Sequence, residues 1–265
     1  MKRHPTKIDL FILVGMPILA LLLSLVIRSP YHIISTILFY GLPAFYLIFR
    51  YRDYSFALKD LIFVILVSTS FAIILDYIGI VSGLWFDPAV IFENKLLGVI
   101  PFEDIIWMFL ATYLIMIFYS TFFDRGKKEL FDKKLIRFII PSIVALGIFL
   151  ALIFIYPQSL YWQGRYAYLA MGTIFFLLPA VVFLFHFPNF FKKSLWVVGY
   201  FLYATLLLEL TTTHLKQWVF GGTYITEPFS LFGFGYVSFE ELFFVGIVGP
   251  FAAIALYEYF DDDLK

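Results

Sequence analysis

Cysteine is absent from the chain. That removes disulfides, thiolate metal sites and cysteine nucleophiles, and it leaves the redox compartment undetermined. Charge is almost as scarce: Asp, Glu, Lys and Arg make up 14% of 265 residues, where a soluble domain carries about 25%. The charges also cancel, 19 basic against 19 acidic, so no basic surface is offered to nucleic acid. There is no Gly-rich phosphate loop, no His-Glu-x-x-His helix and no Asp-rich pair for a magnesium diphosphate, and Gly233-Phe234-Gly235 lacks the third glycine of a dinucleotide fingerprint. No metal site and no cofactor is therefore predicted, with a non-covalent flavin or quinone left open.

Apolar residues are what the chain has in excess. They make up 62% of it, with 35 phenylalanines and 22% aromatics, and mean hydropathy is +0.93. A membrane helix needs about 20 mostly apolar residues. Eight runs qualify: 8–27, 31–49, 60–80, 102–123, 136–156, 166–187, 194–215 and 239–260. The sequence predicts an all-α integral membrane protein of about eight transmembrane helices. Lys2, Arg3 and Lys7 before the first run imitate a signal peptide, but the run is too long and no small-x-small cleavage site follows. It is read as a retained helix. With the N-terminus in the cytoplasm, all of the 19 Lys and Arg except Arg28, Lys95, Arg165 and Lys216 fall on the cytoplasmic side. That bias predicts a multi-pass protein of the cell membrane with both termini cytoplasmic.

The two halves align. Gly41-Leu42-Pro43-Ala44 matches Leu177-Leu178-Pro179-Ala180, Asp76 matches Glu209, and Trp85 matches Trp218. Phe102-Glu103-Asp104 matches Phe239-Glu240-Glu241, and Phe123-Asp124 matches Phe260-Asp261. Four helices per unit give two parallel repeats: 1–124, a basic linker 125–135, and 136–265.

On this topology six acids share one depth on the non-cytoplasmic side: Asp76, Glu103, Asp104, Glu209, Glu240 and Glu241. Acids within membrane segments are costly and mark functional sites. Six clustered carboxyl groups cannot all be ionised in a low dielectric, so some are expected to carry a proton, as a general acid must. Ordinary helix-start chemistry explains part of the pattern equally well. Pro101 reads as a first helical residue followed by first-turn acids, and Ser238-x-x-Glu241 reads as a capping box. Asp76 and Glu209 suit an interhelical hydrogen bond or a partnership with Lys216 as well as catalysis. His214, one turn past Glu209, could relay a proton or simply space the helix end; His4, His32 and His186 have no partner legible in the sequence. Trp85, Trp107 and Trp218 could stabilise a cation through their faces or anchor helices at the interface.

The stretch Gly83-Leu84-Trp85-Phe86-Asp87-Pro88, followed by Gly98-Val99-Ile100-Pro101-Phe102-Glu103-Asp104-Ile105-Ile106-Trp107, resembles the lycopene cyclase domain, a family of small membrane enzymes of carotenoid biosynthesis. Gly222-Thr223-Tyr224, Phe239-Glu240-Glu241 and Tyr257-Glu258-Tyr259 resemble the family's second unit, with Ser238 where the family has proline. The resemblance covers about residues 60–125 and 177–260. It implies acid-catalysed cyclisation of lycopene, via γ-carotene, to β-carotene, an isomerisation that consumes no redox cofactor. It also implies a linear carotene drawn from the lipid bilayer as substrate, with other carotenoid-forming enzymes as neighbours. On that basis Glu103, Asp104, Glu240 and Glu241 are the expected proton donors and acceptors. Asp76 and Glu209 would tune their protonation, and Trp85, Trp107, Trp218, Phe102 and Phe239 would line the substrate or steady the cation. Three rivals remain: a C50 cyclase or hydratase, a non-catalytic subunit, and a proton-coupled transporter. Against the last, the acids are expected at one face only.

Overall fold

The computed structural model describes residues 5–51, 54–123, 133–186, 190–221 and 227–261. They form helices α1 (Lys7–Ile27), α2 (His32–Arg50), α3 (Asp60–Val81), α4 (Phe102–Phe122), α5 (Lys133–Ile155), α6 (Ala167–Phe185), α7 (Phe190–His214) and α8 (Phe239–Tyr259). Among the described residues, seven helical spans are long and apolar enough to cross a membrane. The predicted run 136–156 falls in α5, whose apolar stretch Ser142–Ile155 is shorter. Most of the predicted linker 125–135, Gly222-Thr223-Tyr224 and His4 lie outside the described residues, as does the side chain of His186.

The helix ends follow local chemistry. Thr6 caps α1: its hydroxyl accepts from the Asp9 N–H (3.3 Å), while the Asp9 carboxylate accepts from the Thr6 N–H at 2.8 Å. Asp9 also accepts from Tyr46 (2.7 Å) and Arg50 (2.8 Å), which ties α1 to α2. Pro101 precedes α4 as its N-cap, one position earlier than the sequence suggested. Ser238 caps α8 by accepting from the Glu241 N–H at 3.1 Å. The Glu241 carboxylate turns away to Tyr168, which takes it out of the reciprocal half of the predicted capping box.

Widened π-helical turns interrupt α2 at Ile37–Gly41, α6 at Thr173–Leu177 and α8 at Leu242–Val248. Pro43, Pro179 and Pro250 each follow two residues after the turn ends. A proline inside a helix has no N–H to donate and its ring presses on the carbonyl four residues back, so an inserted residue relieves the clash. α3 carries a further such turn at Val64–Ser68, with no proline to explain it.

An all-α prediction also misses six short strands. β1 (Trp85–Phe86) pairs antiparallel with β4 (Val219–Phe220), β2 (Lys95–Leu96) with β3 (Ile100–Pro101), and β5 (Phe229–Leu231) with β6 (Phe234–Val237). The β2–β3 hairpin leads into α4, and the β5–β6 hairpin leads to α8. Both turn through a bulky residue and then a glycine at positive φ: Leu97 and Gly98 (53° and 72°), Phe232 and Gly233 (55° and 73°). Two successive positive φ values suit a tight hairpin turn matched to strand twist; Leu231 pairs with Phe234 directly across the second turn, and Leu96 with Ile100, one residue wider, across the first.

α4 is the central post. Every residue from Thr112 to Ser120 is buried, so the helix is enclosed on all sides; it packs against α2, α3, α7 and α8. α1 is the opposite case. Leu13, Pro17, Ala20 and Ser24 form one buried stripe toward its neighbours, while Phe11 and Val26 are about 80% exposed, as suits a helix facing lipid. β6 docks on α7 so closely that a Cβ on Gly235 (φ +59°) would lie 2.1 Å from the Leu210 carbonyl oxygen. Gly235→Ala is therefore expected to lower stability by about 2 kcal/mol or more, read as a fall in the thermal midpoint of the detergent-solubilised protein.

A candidate acid and tryptophan site at one end of an apolar cavity

A cavity of about 610 Å³ runs between α3, α4, α6, α7 and α8. Its wall extends along α3 from Phe63 to Asp76 and along α8 from Glu241 to Tyr259, lengths of about 20 and 27 Å at 1.5 Å per residue. Nearly all of the lining is apolar, with many Phe rings. Val182 (54% exposed) and Tyr259 (43% exposed) belong to the same wall, so the cavity reaches the flank of the helical bundle.

Polarity concentrates at one end. Asp76 from α3 and Glu241 from α8 are the two acids on the wall there, 2% and 3% exposed. Tyr168, the second residue of α6, donates its phenolic hydrogen to Glu241. Trp85, Trp107 and Trp218 complete this end. Trp85 stacks on Trp218 with ring centroids 6.3 Å apart and planes 17° apart; Trp107 lies 6.2 Å from Trp218, and Tyr168 meets Trp85 edge-on at 6.0 Å. The β1–β4 pairing holds Trp85 and Trp218 side by side across more than a hundred residues of chain. Gly79 makes the seat, because a Cβ there would fall 2.1 Å from the Trp85 ring.

The other predicted acids are close by but off this wall. Asp104 is buried and lies near enough to Asp76 for their charges to interact; Glu209 stands in the same relation to Glu241. Each acid of α3 or α7 thus meets the second acid of the following acid-bearing helix. Glu103 turns outward instead. Its Oε1 accepts from the backbone N–H groups of Ile91 (2.5 Å) and Phe92 (3.0 Å), which pins the loop after β1. Glu240 is buried beside Glu241. Phe102 and Phe239 are 40% and 57% exposed and are not on the cavity wall. His214 stacks on Phe234 at 4.2 Å and is exposed, an arrangement that gives it no part in a relay. Among the described residues no lysine or arginine makes an ion pair with Asp76, Asp87, Asp104 or Glu209.

Two site residues escaped the sequence. Asp87, just after β1, faces Asp104. Burial, then the Asp104 charge, push its carboxyl up to about 10. His32 opens α2, buried, with its Nδ1 3.9 Å from Asp87 Oδ2 and its ring 5.3 Å from that of Trp218. The only signal for Asp87 was its place in the Trp85-Phe86-Asp87-Pro88 stretch; for His32 there was none.

Acids also lie at the opposite end, against the expectation of a single acidic face. Asp60, sixteen residues before Asp76 on α3, is buried and accepts from Ser120 at 3.0 Å; Glu258 on α8 is buried and accepts from Tyr119. Asp60 opens the predicted run 60–80 and was not singled out in the sequence, while Glu258 appeared only within the Tyr257-Glu258-Tyr259 stretch of the resemblance.

The chain matches no family model, no curated protein and no solved structure. The geometry at Glu103 is testable directly. Glu103→Ala leaves two N–H groups without their acceptor, at a cost of about 1–2 kcal/mol. Amide exchange at Ile91 and Phe92 should then quicken about tenfold, whereas Glu103→Gln, which keeps an accepting oxygen, should leave it near the wild-type rate.

Proposed function

We propose that the protein is a membrane enzyme of the lycopene cyclase kind, which closes the end group of a linear carotene by adding and then removing a proton. The carrying observation is the cavity: long, apolar, open to the bundle flank, and ending at two carboxyl groups among three tryptophans. A ring closure of this kind needs a proton for the terminal alkene, a wall that tolerates the cation while a second double bond attacks it, and a group that takes a proton back. The product is an isomer of the substrate, so no redox equivalent enters the balance.

Asp76 and Glu241 touch the cavity, and the proton transfers are assigned to them. This moves the reacting pair from the four acids at the helix starts to one of those acids and one of the two supporting ones. Trp and Tyr faces around that end can stabilise a cation, and the apolar lining keeps water from capturing it. Val182 and Tyr259 mark where a lipid-dissolved substrate enters sideways. The resemblance of the Trp85–Trp107 stretch and of Phe239-Glu240-Glu241 to that family supports the same reading. The fold that goes with it is two parallel four-helix repeats, with α5 as the eighth crossing and both termini in the cytoplasm. It is supported by the matched π turns before Pro43 and Pro179 and by the matched hairpins before α4 and α8.

One observation favours a second reading. Buried Asp60 and Glu258 lie about 25 Å along their helices from Asp76 and Glu241, so acids flank the cavity at both ends, as in a proton-coupled transporter.

Expression in a lycopene-accumulating host separates the two. The cyclase reading expects γ- or β-carotene and a shift from red to yellow, with Asp76→Asn and Glu241→Gln each lowering conversion by about 10²–10⁴-fold while the protein stays in the membrane. Unchanged lycopene beside well-folded protein, together with substrate-driven proton uptake in vesicles, would replace the enzyme with the carrier.

A further inference from the structure

A second polar cluster lies beside Trp107 and Trp218, off the cavity wall. His32 comes from the start of α2, Asp87 from the loop after β1 and Asp104 from the first turn of α4. One ligand atom from each lies within 4.8 Å of the other two, so a single point sits within about 2.8 Å of all three, close to the 2.0–2.2 Å of metal–nitrogen and metal–carboxylate bonds. Small side-chain rotations close the remainder. The side chains of His32 and Asp87 are 3% and 1% exposed, and Asp104 is 1% exposed.

What the cluster lacks is as informative as what it has. His32 Nδ1 and all four carboxylate oxygens of Asp87 and Asp104 are buried, and among the described residues no group outside the cluster donates to them; the two carboxyl groups face each other closely enough to share a proton. The other ring nitrogen of His32 lies 3.1 Å from the Thr36 hydroxyl, one turn along α2. A donated hydrogen there leaves the Nδ1 lone pair directed at the carboxylates, which is how metal-ligating histidines are oriented. Asp76 and Glu103 add further negative potential, and Lys95 acts on Asp104 only through space. Without an ion, one proton shared between the two facing carboxyl groups satisfies them; a cation that takes its place releases that proton and recruits the His32 Nδ1 lone pair as well.

We infer that His32, Asp87 and Asp104 form a binding site for one divalent first-row transition ion. An imidazole with two carboxylates suits zinc, iron or manganese better than magnesium or calcium, and three protein ligands leave a position for water. The equivalent place in the other half holds Tyr168, 136 residues after His32, donating to Glu241. Without an imidazole that place is not a second such site, so the stoichiometry is one ion per chain. The ion fastens the β1 loop to α2 and α4 and lies against the tryptophan cluster; this assignment is independent of the cyclisation chemistry.

The test uses the full chain in mild detergent, stripped with a chelator and titrated with Co²⁺ and with Zn²⁺. Co²⁺ should quench tryptophan fluorescence saturably at one equivalent, because the Trp218 and Trp107 rings lie 5.3 and 6.4 Å from that of His32. Elemental analysis should find one Zn²⁺ per chain. His32→Gln and Asp87→Asn should each weaken binding at least tenfold, with Glu258→Gln unchanged as a buried-acid control. Absence of saturable quenching in monodisperse wild-type protein, or one-equivalent binding that persists in both folded ligand variants, would overturn the site and leave a proton shared between Asp87 and Asp104.

Discussion

Everything in this fold turns on the cost of placing a carboxyl group where water does not reach. An isolated ionised carboxylate in apolar surroundings is strongly disfavoured, and among the described residues ten acids are buried outright or nearly so. It settles them in different ways. Asp9 takes a guanidinium, a phenol and two groups of Thr6. Glu103 takes two backbone N–H groups, Asp60 a serine, and Glu241 and Glu258 a tyrosine each. Asp9, with a full set of donors, fastens α1 to α2. Asp76, Asp87, Asp104 and Glu209 retain oxygens with no donor among the described residues, as does the second oxygen of Glu103.

The tryptophans obey a parallel constraint. Three indoles cannot be brought together by helix packing alone when two of them lie in connecting segments. The β1–β4 pairing supplies the link, placing Trp85 opposite Phe220 and bringing Trp218 alongside, and Gly79 leaves the room that Trp85 fills. The indole N–H groups of Trp85 and Trp218 find no acceptor among the described residues. They are donors without partners at the same end of the cavity as Asp76. Such a site is rigid in its walls and unsatisfied in its polar atoms, the combination expected where binding or chemistry supplies the missing partner.

Length and apolarity made the helices legible, because a membrane-length run cannot be mistaken for a strand. Rarity made the acids legible: in a chain with so little charge, two pairs at helix starts stand out. Phase was not legible. Neighbouring residues on a helix point about 100° apart, so one member of Glu240-Glu241 reaches the cavity wall and the other does not, and Glu103 turns to a loop while Asp104 turns to Asp87. A sequence without a register cannot choose between them. The strands were hidden for another reason. Pairs of two to four residues carry no alternation long enough to read, and β1–β4 joins segments far apart in the chain. His32 was invisible because its partners arrive from two other segments, and Asp60 and Glu258 because a charge near a helix end is ordinary at a membrane surface.

The corresponding positions of the two halves carry different side chains at His32 and Tyr168. If the chain is a duplicated unit, His32 and Tyr168 occupy one ancestral position at the start of a π-turn helix, each facing the second acid of the helix that follows. A histidine there, with Asp87 added from the loop, concentrates three lone-pair donors and calls for a cation. A tyrosine there supplies a hydrogen and needs none. The two places thus differ in chemistry: one gathers lone pairs, the other supplies a hydrogen. On that reading Tyr168 holds Glu241 at the cavity wall, while Asp104 lies off the wall and faces Asp87. If the duplication holds, the halves have specialised toward one cavity, because its wall takes Asp76 from one half and Glu241 from the other.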